Sequence, residues 1–575
     1  MASSIEARKT RRRLWGGAGP AQQGDLANRA YTGGDALVAT LLDHGVDTAF
    51  GVPGESYLAV LEALRAAQDR LRFVITRHES GATFAACAYA RLARRPGVAF
   101  VTRGPGATNA SIGIHTARQD SVPLVVFIGQ VPSDQRGRES FQEIDYHRML
   151  GPMTKAVFEP HTPHEVASAA AEALAIAVDG RPGPVAVALP EDVTEGETND
   201  APVPVPRARR AIPATPDDIR AIAERIAQAE RPVAIAGEMV GFEGANEALA
   251  AFAEAYGVGV LSSFRQQGVV PCAHPSYLGT LGLALPPYQE DMLDEADLLL
   301  ALGTRLDLAT TVDDRVIHEA RFVVHVYPDA DALAAAGAGL QVCADIAPVL
   351  EGLVSAAPEA PPAPRSAWRA AQRAAFDGFR KESAGPALGA VDLASVVQTL
   401  ADRVPQDATI VNDAGNFSTW LLRHFPYEHP LAQAAPSVGA MGYGVPGAIG
   451  AQLARPGKRV VALAGDGGFG MTGQELITAV GNRLPIVVLV CDNGTYGTIA
   501  MHQYNRYGAD ATYGVALNSP DFAAAARAWG ADAWTVETTE AFAPALEGAL
   551  AAEGPALIHL KTDIRDLAAS GAKMQ

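Results

Sequence analysis

The chain has 575 residues, 48% hydrophobic and 19% charged, which excludes a disordered polymer and exceeds what one core can serve. Lys and Arg number 46 against 64 Asp and Glu, a net charge of -18, so the chain is a poor general binder of nucleic acid or of an anionic membrane surface. No uncharged apolar run approaches the ~18 residues of a membrane span, and the four cysteines (Cys87, Cys272, Cys343 and Cys491) lack CxxC spacing, which argues against a zinc site or disulfide scaffold and fits a reducing cytoplasm.

The first thirty residues stand apart. Arg8, Lys9, Arg11, Arg12 and Arg13 cluster there and Gly16, Gly17 and Gly19 follow, with no apolar h-region behind the arginines. Residues 1–30 read as a disordered basic arm rather than a secretory signal. From Tyr31 the pattern is strand, turn, helix, repeated. Apolar bursts at 48–52, 73–76, 98–102, 124–129 and 185–189 alternate with alanine-rich helical stretches at 82–93 and 164–178. That alternation predicts a parallel sheet covered on both faces. Residues 194–216 read as a linker. A second α/β pattern follows, with strands near 233–237, 259–262, 298–302 and 323–326. A loose stretch then carries Pro358, Pro361, Pro362 and Pro364 and leads into a polar helix. The third pattern starts near Val391, with strands near 409–412, 460–464, 486–491 and 556–560. The predicted architecture is α/β, with three doubly wound parallel-sheet domains at 31–195, 212–352 and 391–575 and a linker at 353–390.

Residues 459–470 read RVVALAGDGGFG, with a helix predicted over 472–481. Residues 465–470 fit G-x-G-x-x-G, the dinucleotide fingerprint, and Asp492 ends the next strand, where a ribose-binding acid would sit. An NAD-binding oxidoreductase is therefore one reading. The other is a metal–diphosphate site. Asp466 lies inside the turn, where a bare carboxylate repels a diphosphate unless a hard cation such as Mg²⁺ stands between them. In CDNGTYG, on the loop after the next strand, Asn493 offers an amide oxygen and Thr495 a carbonyl. With two diphosphate oxygens and a water, these complete an octahedron.

G-D-G followed at an interval by N-G-T resembles the diphosphate motif of thiamine diphosphate (ThDP) enzymes. ITRHESGATFAACAYAR at 75–91, VTRGPGATNASIGIHTARQDSVPLVVFIGQV at 101–131 and FQEIDYHRMLGPMTK at 141–155 resemble the first domain of the acetolactate synthase-like branch, the large catalytic subunit type. VGAMGYGVPGAIGAQ at 438–452 resembles its third domain. The resemblance spans about residues 31–563, with the motifs in family order. It implies a pyrimidine-binding, a central and a diphosphate-binding domain, with ThDP and Mg²⁺ as cofactors.

The resemblance also assigns roles. Glu79 in R-x-E becomes the acid that hydrogen-bonds the aminopyrimidine N1′ and so activates the cofactor. Met441 becomes the apolar side chain that folds the cofactor into a V, with Gly439 beside it. Gly415 and Asn416 in DAGNF resemble the loop holding the diphosphate from its other side, and Pro53 and Asn109 sit in loops that face the pyrimidine. Gly465, Asp466, Gly467, Gly468, Asn493, Thr495 and Gly497 complete the cofactor-binding set, of which Asp466, Asn493 and Thr495 are the metal ligands. Family members bring these domains together across a subunit interface. A homodimer is then the minimum active unit and a homotetramer is common.

For the reaction, the resemblance implies decarboxylation of a 2-oxo acid followed by transfer to a carbonyl acceptor. Phe141 and Gln142 stand where many aldehyde-releasing decarboxylases carry adjacent histidines. A neutral amide donates protons poorly, which favours carboligation and makes Gln142 a catalytic candidate. Phe141, Gln142 and Lys155 match residues near the synthase substrate channel. A lyase or non-oxidative decarboxylase with another substrate is the alternative. Three positions depart from the housekeeping synthases: Ala309 replaces an arginine, His502 a tryptophan, and Gly282-Leu283-Ala284 a flavin-contacting G-M-H-G. Acetolactate as product and bound FAD both stay open. Arg305 is a substitute carboxylate clamp, while Glu55 and His115 are candidate pocket residues.

Overall fold

A computed structural model of the chain describes residues 30–198, 209–317, 321–382, 385–508 and 511–569. The basic arm at 1–30 lies outside the described residues except for its last member. Three six-stranded sheets form, and every strand pair within them is parallel. The first contains β1 (Thr48–Gly51), β2 (Arg72–Ile75), β3 (Gly97–Val101), β4 (Leu124–Gln130), β5 (Ala156–Phe158) and β6 (Pro184–Pro190), in the order β2-β1-β3-β4-β6-β5. The second contains β7 (Pro232–Ala236), β8 (Gly259–Ser262), β9 (Tyr277–Thr280), β10 (Leu298–Leu302), β11 (Phe322–Val326) and β12 (Leu340–Val342), in the order β12-β11-β10-β7-β8-β9. The third contains β13 (Thr409–Asn412), β14 (Gln433–Ala434), β15 (Val460–Gly465), β16 (Ile486–Asp492), β17 (Asp532–Val536) and β18 (Ala556–Lys561), in the order β14-β13-β15-β16-β18-β17. Apart from Phe322 and Lys561 at strand ends, the inner strands are buried throughout, as strands covered on both faces must be.

The sequence pattern misses β5, β9, β12, β14 and β17, each of which is a sheet edge. These edge strands are only two to five residues long, so they lack the continuous apolar run that marks the centre. The stretch at 353–390 is not a bare linker. Helix Ala363–Lys381, the polar helix expected after the prolines, occupies half of it. Arg365 donates to the carbonyls of Tyr256 and Ile226, and Phe376 joins the central apolar cluster.

The first and third domains share a core. Helix Glu79–Ala93 packs on helix Gly444–Ala454, and one apolar cluster runs through both, from Phe84 and Ala85 to Tyr443 and Ile449. Each large side chain buried there contributes about 1.5–3 kcal/mol. The two helices touch because position 450 is glycine. A Cβ there would lie 2.0 Å from the Ala85 carbonyl oxygen, so any larger residue forces the helices apart. This contact fixes the start of the Glu79–Ala93 helix, and hence Glu79, relative to the third sheet.

Candidate active site

Strand β15 runs directly into helix Asp466–Thr472. The predicted 472–481 helix therefore begins earlier and is interrupted by a 3-10 turn at Gly473–Glu475 before resuming at Leu476–Gly481. The turn requires glycine. A Cβ at Gly467 would come within 2.5 Å of the Tyr496 ring, and one at Gly468 within 2.7 Å of Asp413 Oδ2. Asp466 is the first residue of the helix and is 5% exposed. Its Oδ1 accepts from the Gly467 N–H at 2.9 Å and its Oδ2 weakly from Ser519 Oγ at 3.4 Å. Burial first, and the neighbouring Asp492 carboxyl as well, push Asp466 up to about 6.

Asp492 is held differently. Its Oδ2 accepts from His559 Nε2 at 2.8 Å and Lys561 Nζ at 2.7 Å, and its Oδ1 from the Gly494 N–H at 3.1 Å. Burial alone would raise it, but those donors win and hold the carboxyl well below the usual range. The dinucleotide reading loses its acid here, because a carboxylate engaged by three donors inside the sheet is not offered to a ribose. In the same turn Asn493 Oδ1 accepts from the Thr495 N–H at 3.0 Å, and Gly494 takes φ +69°.

These groups fit a cation–diphosphate pair. Glycines at 465, 467 and 468 leave a cradle that side chains would fill, and Asp466 keeps one oxygen with only a long hydrogen bond. Asp466, Asn493 and Thr495 line one cavity and supply carboxylate, amide and carbonyl oxygens, the hard donor set that Mg²⁺ takes. The cavity measures about 1070 Å³. Gly415, Asn416, Gly439, Met441, Gly465, Gly467, Gly468 and Gly497 line it too. Asn416 is set by its N–H to Thr498 Oγ1 at 3.2 Å and by its amide to Met501 Sδ at 3.4 Å. Gly439 has φ +75° and open space where a Cβ would stand, and Met441 Cε lies 3.2 Å from the place a Gly467 Cβ would take. Ala309, His502, Leu283 and Ala284 also line the cavity, whereas Arg305 does not. Arg305 pairs with Asp307 at 3.1 Å and donates to Gln119.

The first-domain residues lie elsewhere. Among the described residues that line the cavity, all are numbered 264 or higher. Glu79 opens helix Glu79–Ala93, is 8% exposed, and its Oε2 accepts from Asn109 Nδ2 at 2.9 Å. The preceding turn is tied from the third domain, where buried Glu475 accepts the N–H groups of Arg77 and His78, both at 2.9 Å. Pro53 is exposed on the loop after β1. Phe141 is 73% exposed. Gln142 adopts φ +64°, and its carbonyl oxygen closes on Gly104. Glu55 begins a 3-10 turn and pairs with Arg103 at 3.0 Å, and His115 faces outward from helix Pro105–Gln119.

Lys155 departs from its expected place. Its ammonium donates to the carbonyls of Asp179 and Arg181 at 2.6 and 2.9 Å, and burial lowers it to about 8. It ties β5 to the end of helix Glu165–Val178 instead of lining a channel. Lys155→Met is expected to cost about 2 kcal/mol in chemical denaturation, the scale of hydrogen bonds from a charged donor. Turnover per folded molecule should change less than about twofold; a large kcat loss at unchanged stability would return Lys155 to the substrate path.

Three buried charged residues near the cavity escape sequence reasoning. Asp120 accepts from the Ser437 and Val438 N–H groups, both at 3.0 Å. Asp413 accepts from Gly442, Gly444 and Ala414 at 2.7–3.2 Å. Arg265 donates to the carbonyls of Pro436 at 2.6 Å and Asp413 at 3.3 Å. The available signal was a charge beside an apolar strand: Asp120 just before 122–128 and Asp413 just after 408–411. Such a residue is buried and must be partnered.

Three family models match successive parts of the chain. Residues 31–149 match the model of the thiamine pyrophosphate enzyme N-terminal TPP binding domain, 219–353 its central domain and 413–560 its C-terminal TPP binding domain. A probable acetolactate synthase large subunit of Methanocaldococcus jannaschii is 32% identical, over 92% of this chain and 92% of that protein. The acetolactate synthase large subunit of Lactococcus lactis is 32% identical over 87% of each. Acetolactate synthase isozyme 2 large subunit of Escherichia coli is 31% identical over 92% of this chain and 95% of that protein.

Proposed function

Because this chain belongs to the thiamine pyrophosphate enzyme family, in its acetolactate synthase-like branch, we propose that it decarboxylates a 2-oxo acid with ThDP and Mg²⁺ and transfers the acyl unit to a carbonyl acceptor. When bound, ThDP supplies the electron sink that lets a 2-oxo acid lose CO₂ and passes on its acyl unit. The remaining tasks fall to the chain. Asp466 and Asn493 side chains and the Thr495 carbonyl hold the cation, and the glycine turn brings backbone N–H groups to the diphosphate. Gly415 and Asn416, on the same cavity, would hold the diphosphate as well, and Met441 would pack against the cofactor. Glu79 shares a proton with the pyrimidine N1′, and Asn109 orients its carboxyl.

One observation carries the reading: the cavity holding every diphosphate-side candidate has no first-domain residue in its described lining, while Glu79 sits on the first domain. A second copy of the chain completes the site by supplying Glu79, so a homodimer is the smallest active unit. The proposal needs no flavin. The synthase names of the relatives and the neutral Gln142 in place of a histidine support carboligation over aldehyde release. The four unbridged cysteines suit action in the cytoplasm, and among the described residues no helix is long and apolar enough to cross a membrane.

The test is turnover of the purified full chain on a series of 2-oxo acids with ThDP and Mg²⁺, products identified by mass. The proposal expects CO₂ release with a hydroxyketone. Aldehyde as sole product would make the enzyme a simple decarboxylase, and no CO₂ from any 2-oxo acid would remove the assignment.

A further inference from the structure

The segment 436–444 joins β14 to helix Gly444–Ala454 and presents Gly439 and Met441 to the cavity. It has no ladder to hold it. Instead it is fastened by buried charged groups at both ends. At its start, Asp120 from the first domain takes the Ser437 N–H on Oδ2 and the Val438 N–H on Oδ1, each at 3.0 Å. There too, Arg265 from the central domain donates to the Pro436 carbonyl at 2.6 Å, and its second nitrogen reaches the Asp413 carbonyl at 3.3 Å. At its end, Asp413 from the third domain takes the Gly442 N–H at 2.9 Å and the Gly444 N–H at 3.2 Å. All three side chains are at most 6% exposed. Arg91 ties the set together, donating to the carbonyls of Ala435 at 3.3 Å and Arg265 at 2.9 Å. Arg265 is itself held at φ +59°, a backbone position that its surroundings impose.

We infer that Asp120, Arg265 and Asp413, one from each domain, act as positioning residues that preset the 436–444 turn, so that Gly439 and Met441 meet the cofactor without rearrangement. The inference rests on the cofactor reading of the cavity given above. Its physical content is preorganisation. A turn fixed before the ligand arrives spares the binding step the ordering of its residues. Because the anchors come from three domains, the packing of the domains on one another is read directly at the cofactor seat. A neutral amide at position 120 keeps the size but can accept only one of the two N–H groups, and its NH₂ then faces the other.

Asp120→Asn in the full-length protein tests this. Three quantities are measured: ThDP affinity by calorimetry with Mg²⁺ present, KM for the 2-oxo acid, and amide hydrogen exchange across 436–444 without cofactor. The expected result is a loss of ThDP affinity of about tenfold. KM for the 2-oxo acid should stay within about twofold, and exchange should accelerate in 436–444 but not in β15. Lys155→Met is the comparator: it lowers stability without moving ThDP affinity. Wild-type ThDP affinity and wild-type exchange in Asp120→Asn would overturn the inference. Should that variant not fold, wild-type exchange decides. Slow exchange at 437 and 438 in the cofactor-free protein supports the preset turn, and rates typical of an open loop refute it. Failure of the wild-type protein to bind ThDP is a separate outcome, since it removes the cofactor reading while the exchange data still report on the turn.

Discussion

Glu79→Gln is expected to lower kcat by about 10²–10⁴-fold, the range for loss of a positioned proton donor, while ThDP affinity changes by less than about tenfold. Glu79 is nearly buried at a helix start, with Asn109 on one oxygen and its preceding turn pinned by Glu475. A glutamine fits the same space and still accepts from Asn109, so the fold and the cofactor seat survive. The amide cannot exchange a proton with N1′, so only the activating step fails. Steady-state turnover together with calorimetric titration separates the two quantities. Loss of binding with normal turnover of the bound fraction would make Glu79 a structural residue, and unchanged turnover would remove it from the mechanism.

The second large effect is at the other end of the cofactor. Asp466→Ala is expected to weaken Mg²⁺-dependent ThDP binding by about 100-fold or more, at the upper end of losses seen for groups that support a metal ligand. Two carboxyls, Asp466 and Asp492, lie side by side in the buried turn. The cationic neighbour Lys561 and the His559 ring hydrogen-bond Asp492 and not Asp466. Without a cation Asp466 is a liability, so its removal should leave thermal stability of the cofactor-free protein equal or higher. A stability gain with lost binding is the signature of a functional acid. A stability loss with retained ThDP affinity would assign Asp466 to the fold instead.

Much of this was legible in the sequence because the signals were local. Continuous apolar runs mark strands buried on both faces, and Gly465, Gly467 and Gly468 at the end of one of them announce a strand-to-helix turn that must admit a ligand or a neighbouring ring. The three-domain α/β reading follows from the first signal, and the family resemblance from the second. What the sequence hid is tertiary. Edge strands such as β14, two residues long, carry no pattern of their own. Lys155 sits in a stretch that resembles the synthases, yet its ammonium finds two carbonyls inside the first domain. The pairing of Asp120 with 437–438 spans 318 residues, and no spacing rule reaches that far.

Subunit mixing measures directly whether the site is built from two copies of the chain, as proposed. Glu79→Gln and Asp466→Ala proteins, each inactive alone, are combined after reversible dissociation and assayed for CO₂ release. A mixed dimer then carries one site with both defects and one with neither. Random pairing should restore up to about a quarter of wild-type activity, as two-fold symmetry requires. If Glu79 and Asp466 instead served the same cofactor from one chain, every site in every mixed dimer would stay defective and no activity would return.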